Sequence, residues 1–355
     1  MPQRVVALGD PVMDVLAHVD ASMLESTLSL EPGGCHPISQ TEMAGLLVKI
    51  GKHHRLARVP GGSAANVVTG IANLSNGSWE VCFMGMLGAD ETGREYRTRL
   101  EEQGVRSLMT ESTSGASTAT CLCLVTPDGQ RTMRTCLAAA QELASADMLP
   151  EGWADSCRLL HCEGYTLYRP QLAAEAMRRA RQAGAQVSMD LASFEVIRNC
   201  TSALQSLLDE GLVDIVFCNE EEAEALAQVA GVTVPGDPQA TRQGAQEYLL
   251  RNCQVSVVSV GPEGCIARAR NGEVGTSPAC QVTVEDTIGA GDTFSSGFLH
   301  AYLSGANLQA CCACGCAAGA EAVQTAGADL KPATWSRLRQ KAAAILGAHG
   351  NDAVS

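Results

Sequence analysis

The feature that most constrains the fold is a regular alternation of apolar, strand-like runs with helix-like segments. The runs are VVALG (5–9), VCFMGMLG (81–88), CRLLHCEG (157–164), QVSMDL (186–191), VDIVFCN (213–219) and VSVVSVG (255–261). Helical periodicity marks residues 63–74, 92–103 and 170–183, and another helix follows residue 219. Continuous apolar strands separated by helices form a mostly parallel sheet covered on both faces. The sequence therefore predicts an α/β protein whose ligands bind at the carboxyl ends of the strands.

Two segments interrupt this alternation. Residues 15–60 are long and irregular, and residues 117–136 are typical of a β-hairpin with a turn at Pro127-Asp128-Gly129. We expect both segments to contribute to a small lid over the strand ends. A chain of 355 residues can hold one large α/β domain or two smaller ones, and either buries a sizeable core.

Composition excludes several classes of function. Hydrophobic residues make up 46% of the chain, yet no apolar run approaches the roughly 18 residues that span a bilayer. The first residues enter a strand directly, without a basic and then apolar leader pattern, so we expect a soluble, cytoplasmic protein. The formal net charge of −14 argues against broad binding to nucleic acid or anionic lipid. Any bound anion must therefore be held locally.

The chain has 16 cysteines, which are scattered through apolar strands such as CLCLV and VCFMG. This distribution favours reduced, buried thiols over a disulfide framework. The cluster CCACGC contains Cys311, Cys312, Cys314 and Cys316. On a helix these spacings point the thiols in several directions, so we do not expect a zinc site.

The stretch DTIGAGDTF (286–294) is a loop that opens a helix. The first N–H groups of a helix have no intrahelical acceptor and carry partial positive charge, and glycines at 289 and 291 let the backbone approach an anion closely. Asp292 would repel a phosphate unless it removes a proton from an alcohol while the N–H groups hold the transferring phosphoryl group. The alternative is a structural one, in which Asp292 stabilises the helix start and the glycines make a bend.

Two further stretches offer polar groups beside strand ends. In GDPVMD (9–14), Asp14 can accept hydrogen bonds from two neighbouring hydroxyl groups, as a sugar diol provides, although aspartate is also common in turns. In PGGSAANVV (60–68), Gly61 and Gly62 permit close approach of the backbone and Asn66 offers a donor and an acceptor. The structural alternative is a tight turn with Ser63 as the N-cap.

The stretch CNEEEAEAL (218–226) places Asn219 and Glu222 three residues apart after a strand. This spacing is that of a helix capping box. A functional interpretation has Glu222 orient hydrated Mg²⁺, an ion that usually keeps most of its waters. The local pattern favours the capping box.

Taken in order, GDPVMD, PGGSAANV, GMLGADETG, CNEEEAEAL, SVGPEG and DTIGAGDTF resemble the PfkB family of sugar and nucleoside kinases, also called ribokinase-like. The resemblance runs from about residue 5 to about residue 330, and PGGSAAN and DTIGAGDTF are its most specific parts. It implies a three-layer α/β/α sandwich with a mostly parallel central sheet and a small β lid. We therefore treat residues 1–355 as a single kinase domain, with lid elements within 15–60 and 117–136.

The resemblance also implies roles for individual residues in transfer of the ATP γ-phosphate to a hydroxymethyl group. Asp292 would be the general base, and the N–H groups of Gly289, Ala290 and Gly291 the anion hole. The remaining expected residues fall into three groups: Asp14, Gly61, Gly62 and Asn66 for the substrate; Asn219, Glu222, Ser259, Gly261 and Gly264 for Mg²⁺, phosphate and nucleotide; and Asp286 for a monovalent cation. Mg²⁺ would bind Glu222 through water, and potassium activation is expected.

The substrate interpretation rests on features of the same resemblance. Ribokinase-like sugar kinases typically have Gly-Gly-Lys where this chain has Ser63, which weakens ribose. The long segment between Asp14 and Gly61 and the runs RTMRTCLAAAQEL and SMDLASFEVIRN resemble adenosine-kinase-like members. We therefore expect a nucleoside phosphorylated at its 5′-hydroxyl by a monomer or homodimer. The alternatives are a free sugar such as ribose or fructose, and a non-catalytic interaction protein with a kinase shape.

Overall fold

The computed structural model describes residues 3–20, 22–24, 28, 30, 34–127, 130–325, 327 and 329–349. Its strands are β1 Arg4–Leu8, β2 Val12–His18, β3 Cys35–Pro37, β4 Ala57–Gly61, β5 Glu80–Met84, β6 Met86–Leu87, β7 Arg106–Ser107, β8 Thr110–Glu111, β9 Thr120–Val125, β10 Arg131–Cys136, β11 Cys157–Glu163, β12 Gln186–Asp190, β13 Ile215–Asn219, β14 Val255–Ser259, β15 Cys265–Ala269 and β16 Val274–Ser277.

The α-helices alternate with these strands through most of the chain. They are α1 Gln40–Gly51, α2 Ser63–Ser75, α3 Glu91–Glu102, α4 Pro170–Gln182, α5 Phe194–Asn199, α6 Thr201–Asp209, α7 Glu220–Ala230, α8 Pro238–Leu249, α9 Ala290–Leu303, α10 Leu308–Ala322 and α11 Pro332–His349. Short 3₁₀ turns occur at Ala138–Glu142, Ala146–Met148, Gly164–Tyr168 and Gly261–Glu263.

The main sheet has nine strands in the order β16-β15-β14-β13-β12-β11-β1-β5-β7. Pairing is parallel from β7 to β14 and antiparallel for β15 and β16. Alternate residues of β1 enter different cores: Val5 packs with the cluster that contains Phe298 of α9, and Val6 with the cluster that contains Leu172 of α4. Helices therefore cover both faces, which confirms the predicted α/β class with three layers.

A second sheet has five strands in the order β3-β10-β9-β2-β4. Strand β2 pairs antiparallel with β4 and parallel with β9, and β9 and β10 form an antiparallel hairpin. These strands come largely from the two segments that the sequence predicts as lid elements. In the hairpin turn, Asp128 and Gly129 lie outside the described residues. Movement of this sheet as a lid stays a prediction.

The run 81–88 differs from its prediction as one strand, because it divides into β5 and β6 at Gly85. A Cβ atom at Gly85 would lie 2.6 Å from the carbonyl oxygen of Gly9. This close approach of two backbones requires glycine and interrupts the ladder.

The cysteines of the CCACGC cluster lie on α10 and are buried there. Like the other cysteines whose side chains the structure describes, they are free thiols, and most are buried. Across the described ranges, no helix is both long enough and apolar enough to cross a membrane.

Candidate active site

Polar side chains end four neighbouring strands of the main sheet. Glu163 of β11 pairs in register with Asp190 of β12, and Asn219 of β13 pairs with Ser259 of β14. A cavity of about 220 Å³ opens at this edge. Its lining includes Ser63, Asp190, Asn219, Ser259, Gly291 and Asp292. The carboxyl ends of the strands thus form a pocket with the start of α9, as a parallel sheet predicts.

Asp292 lies in the first turn of α9 and is held by the first turn of α2. One carboxylate oxygen accepts a 2.7 Å hydrogen bond from the Ser63 hydroxyl, and the other accepts a 2.8 Å bond from the Asn66 side-chain amide. Two helix N-termini therefore converge on one carboxylate, and both carry partial positive charge. This arrangement stabilises negative charge on Asp292 and fixes the direction in which its oxygens point.

The pKa of Asp292 reflects two opposing effects. Burial raises it, and the hydrogen bonds from Asn66 and Ser63 lower it, which leaves the pKa above the ordinary aspartate value. Asp14 is a second acid at the site. Burial together with the nearby charge of Asp292 raises the pKa of Asp14 to about 7. Two carboxylates near one another would be costly in a purely structural site, so the pair favours a functional interpretation.

The loop ahead of α9 exposes backbone N–H groups. Gly289 is the N-cap, has a φ of 70° in the left-handed region and supplies no side-chain acceptor to the helix start. A Cβ atom added at Gly291 would meet no atom within 4 Å. The first turn of α9 therefore has no side-chain cap and is open at Gly291, the geometry in which helix N-termini bind phosphate, while the Ala290 N–H donates a 3.3 Å hydrogen bond to the Thr287 carbonyl oxygen.

Gly61 and Gly62 are constrained by contacts with the loop after β1. A Cβ atom at Gly61 would lie 2.1 Å from the Oδ2 atom of Asp14. Gly62 has a φ of 99°, and a Cβ atom there would lie 2.4 Å from the carbonyl oxygen of Asp10. Both positions require glycine, and Asp14 consequently lies beside the start of α2. Gly62 is the N-cap, so the alternative in which Ser63 is the N-cap of α2 is wrong.

Asn219 and Glu222 form the capping box that their spacing predicts. The Asn219 amide oxygen accepts a 2.9 Å hydrogen bond from the backbone of Glu222, and the Glu222 carboxylate accepts bonds of 2.9 and 2.8 Å from the backbone and side-chain nitrogens of Asn219. Glu222 is buried, and burial is the main cause of its raised pKa. Asn219 thus engages both carboxylate oxygens of Glu222, and a contact of Glu222 with Mg²⁺ through water stays a prediction.

Ser259 ends β14 and is followed by a tight turn. Gly261 has a φ of 42° and Gly264 a φ of 102°. A Cβ atom at Gly264 would lie 1.9 Å from the carbonyl oxygen of Ser277. The structure thus explains both glycines by backbone geometry, whereas their contact with a nucleotide stays a prediction.

Sequence reasoning missed Ser63 and Asp190 as site residues. Ser63 contacts Asp292, and Asp190 lies between Glu163 and the capping box with one carboxylate oxygen 3.5 Å from the Ser295 hydroxyl. Burial and the charges of Glu222 and Asp292 raise the pKa of Asp190 well above its ordinary value. The sequence signal that could have identified Asp190 is its position as the last residue of an apolar strand, because Asn219 was identified by the same kind of position.

Glu163, the last residue of β11, binds two backbone segments beside the site. Its carboxylate oxygens accept bonds of 2.8 Å from the backbone N–H of Asp10 and 2.9 Å from that of Ala64. Buried Glu163 therefore connects the loop after β1 to the first turn of α2.

Asp286 lies in the loop before Gly289 and is bonded on both carboxylate oxygens. The backbone N–H of Ile288 donates to Oδ1 and that of Gly327 to Oδ2, each at 2.8 Å. The guanidinium group of Arg131, from β10, also pairs with Oδ1. A monovalent cation at Asp286, as the resemblance implies, would therefore compete with Arg131 for the carboxylate.

Comparisons with known proteins agree with this geometry. Residues 43–335 match the model of the "pfkB family carbohydrate kinase". The chain is 26% identical to an adenosine kinase of Dictyostelium discoideum over 95% of this chain and 98% of that protein. Among solved structures, it is similar to a probable sugar kinase of Rhizobium etli CFN 42, with a TM-score of 0.82, 26% identity and coverage of 97% of this chain and 99% of the other.

An adenosine kinase of Sinorhizobium meliloti gives a TM-score of 0.80 at 28% identity, covering 96% of this chain and 99% of that one. The family match spans most of the chain, and the structural similarity extends over nearly all of it. The chain therefore belongs to the pfkB family and is an ATP-dependent phosphotransferase whose acceptor is a nucleoside or a sugar.

Proposed function

We propose that the acceptor is the 5′-hydroxymethyl group of an adenosine-like nucleoside and that Asp292 is the general base. The observation that carries this proposal is the placement of Asp292, with its two hydrogen bonds from α2, beside the uncapped start of α9. A base and an anion-binding helix end next to one another are what phosphoryl transfer to an alcohol requires.

The proposed reaction is an in-line displacement. The substrate hydroxyl donates a hydrogen bond to Asp292, its oxygen forms a bond to the γ-phosphorus, and the bond from that phosphorus to the β–γ bridging oxygen breaks. Asp292 takes the proton, while the N–H groups of Gly289, Ala290 and Gly291 hold the phosphoryl oxygens. Positioning and charge stabilisation supply most of the rate enhancement in such a transfer.

Asp14, Gly61, Gly62 and Asn66 are the proposed substrate contacts. The Asp14 carboxylate lies next to the glycine turn and near Asp292, so it can accept hydrogen bonds from a ribose diol while the 5′-hydroxyl reaches the base. Asn66 binds Asp292 through its amide nitrogen, which leaves its amide oxygen as an acceptor for the substrate.

The donor set at the strand ends fits Mg²⁺. Burial raises the pKa of Asp190 and of Glu222, and the charges of Glu222 and Asp292 raise that of Asp190 further, as expected where a cation would relieve repulsion. In the described part of the chain, no three His, Cys, Asp or Glu side chains meet closely enough to hold a metal by themselves. This agrees with an ion held mainly by phosphate and water, with Asn219, Glu222 and Asp190 as outer partners. When bound, Mg²⁺ supplies neutralisation of phosphate charge.

The second sheet is the proposed lid. Asp14 lies in β2, and Arg131 reaches from β10 to the loop before α9. Closure of this sheet over the strand ends would exclude water from the γ-phosphate and so suppress ATP hydrolysis.

Two observations bear on the acceptor. Relatives named adenosine kinases cover almost the whole chain. Tyr165 lines the cavity with 43% of its surface exposed, and its ring offers a face on which a base can stack. A free sugar is the second candidate, supported by similarity to the probable sugar kinase of Rhizobium etli.

The test is ADP release with MgATP against adenosine, inosine, guanosine, cytidine, ribose and fructose. We expect turnover on one nucleoside. Turnover on a free sugar alone would overturn the nucleoside assignment and keep the mechanism. ATP binding without turnover on any acceptor would instead support a non-catalytic, kinase-shaped protein.

A further inference from the structure

Arg131 and Asp286 connect the second sheet to the loop that opens α9. Arg131 begins β10, and Asp286 lies three residues before Gly289. The arginine side chain is 26% exposed and the aspartate side chain 8%. This contact joins two parts of the chain that the proposed lid movement would otherwise leave independent.

Both oxygens of the Asp286 carboxylate accept hydrogen bonds. Oδ1 accepts from the Ile288 N–H and from Arg131, and Oδ2 accepts from the Gly327 N–H. Burial alone would raise the pKa of Asp286, but the two N–H groups and the guanidinium outweigh it, and the pKa lies below its ordinary value. Asp286 is therefore an anion whose charge is already balanced.

A potassium ion does not fit this arrangement. An ion on Oδ1 would have to share that oxygen with the guanidinium group or displace it, and an ion on Oδ2 would still lie across the same carboxylate from the guanidinium group. At such distances two positive charges repel strongly in a partly buried place. The residues present thus disagree with the monovalent-cation role expected for Asp286.

We propose that Arg131 takes the place of the monovalent cation, so that kinase turnover does not depend on potassium. Arg131 is a positioning residue in this account: it holds Asp286, and Asp286 orders Ile288 and the N–H groups that follow. Arg131 belongs to the second sheet. Its positive charge therefore reaches Asp286, and orders the loop before α9, when that sheet is in the position that the structure shows. This inference rests on the proposed function, because it assigns the loop to phosphate binding.

The test compares wild type, Arg131→Gln and Arg131→Lys in potassium, sodium and tetramethylammonium chloride at constant ionic strength. The matched control is Arg97→Gln, which removes a similarly exposed arginine from an ion pair with Glu111. We expect wild type, Arg131→Lys and the control to be insensitive to the cation. Arg131→Gln should lose at least about tenfold in kcat with a smaller change in KM, and potassium or free guanidinium should restore part of it.

Thermal unfolding without substrate gives a second readout, which does not depend on the assigned reaction. We expect potassium to raise the Tm of Arg131→Gln above its value in tetramethylammonium and to leave that of wild type unchanged. Stimulation of the wild-type enzyme by potassium would overturn the proposal. So would an Arg131→Gln variant that behaves like the control, or one whose loss neither potassium nor guanidinium relieves. If the proposed function were wrong, wild type itself would show no turnover, and this outcome is distinct from failure of the potassium proposal.

Discussion

The carboxylate of Asp292 accepts a 2.8 Å hydrogen bond from the Asn66 amide, although 226 positions separate the two residues. The two most specific sequence motifs, PGGSAAN and DTIGAGDTF, therefore contact each other at the carboxylate oxygens of Asp292. Each motif alone is compatible with an ordinary helix start. Their contact makes a shared site the simpler explanation, because a buried acid is costly unless its neighbours or its function compensate for it.

Gly291→Ala should abolish activity without harming the fold. An added Cβ atom meets no protein atom within 4 Å, and alanine in a helix is favoured over glycine by about 0.5–1 kcal/mol. The methyl group would, however, occupy the space proposed for the γ-phosphate. We expect unchanged or higher Tm and at least about a hundredfold loss of kcat.

The matched control for that substitution is Gly347→Ala, which adds a methyl group in open space on α11. It should keep full activity. Wild-type turnover of Gly291→Ala would remove the start of α9 from the phosphate site.

Asp14→Asn should stabilise the protein at neutral pH and weaken substrate binding. Because the pKa of Asp14 is about 7 in the folded protein and about 4 when unfolded, the folded state binds more protons between these values, and stability falls as pH rises through them. The amide removes this effect. With allowance for solvent screening, we expect a gain of about 1–2 kcal/mol at pH above about 7.

Urea unfolding at acidic and alkaline pH measures the Asp14 effect. The advantage of the variant should shrink as pH falls towards about 4, where the wild-type acid is protonated in both states. An equal advantage at all pH values would show that the acid's charge is not its cause.

Ser63→Ala should shift the pH dependence of turnover. The Ser63 hydroxyl lowers the pKa of Asp292, so its removal should raise that pKa and move the acidic limb of the kcat profile to higher pH. Ser304→Ala, at the other end of α9 where the hydroxyl binds the carbonyl of His300, is the control and should leave the profile unchanged. An unshifted limb in Ser63→Ala would mean that this limb belongs to another group.

Most of the fold follows from the sequence because its signals are local. The predicted helix at 63–74 is observed at Ser63–Ser75, and that at 92–103 at Glu91–Glu102. Strand ends and the capping box at Asn219 are likewise properties of a few neighbouring residues. The break at Gly85 could not be predicted, since its cause is the backbone of Gly9, which follows β1.

The site was predictable only in part for the same physical reason. Glycines and acids beside strand ends and helix starts mark Asp14, Gly61 and Asp292, whereas the roles of Ser63 and Glu163 depend on which atoms they reach across the fold. The pairing of Arg131 with Asp286 is also a tertiary contact, between residues 155 positions apart. Spacing along the chain carries no information about such contacts.

The most direct test of the account is turnover of Asp292→Asn on the acceptor that wild type prefers, with ATP affinity measured in parallel. We predict a loss of at least about a hundredfold in kcat, with ATP binding retained, because the amide keeps the shape of the site and cannot accept the proton. Turnover near that of wild type would contradict the assignment of Asp292 as the general base.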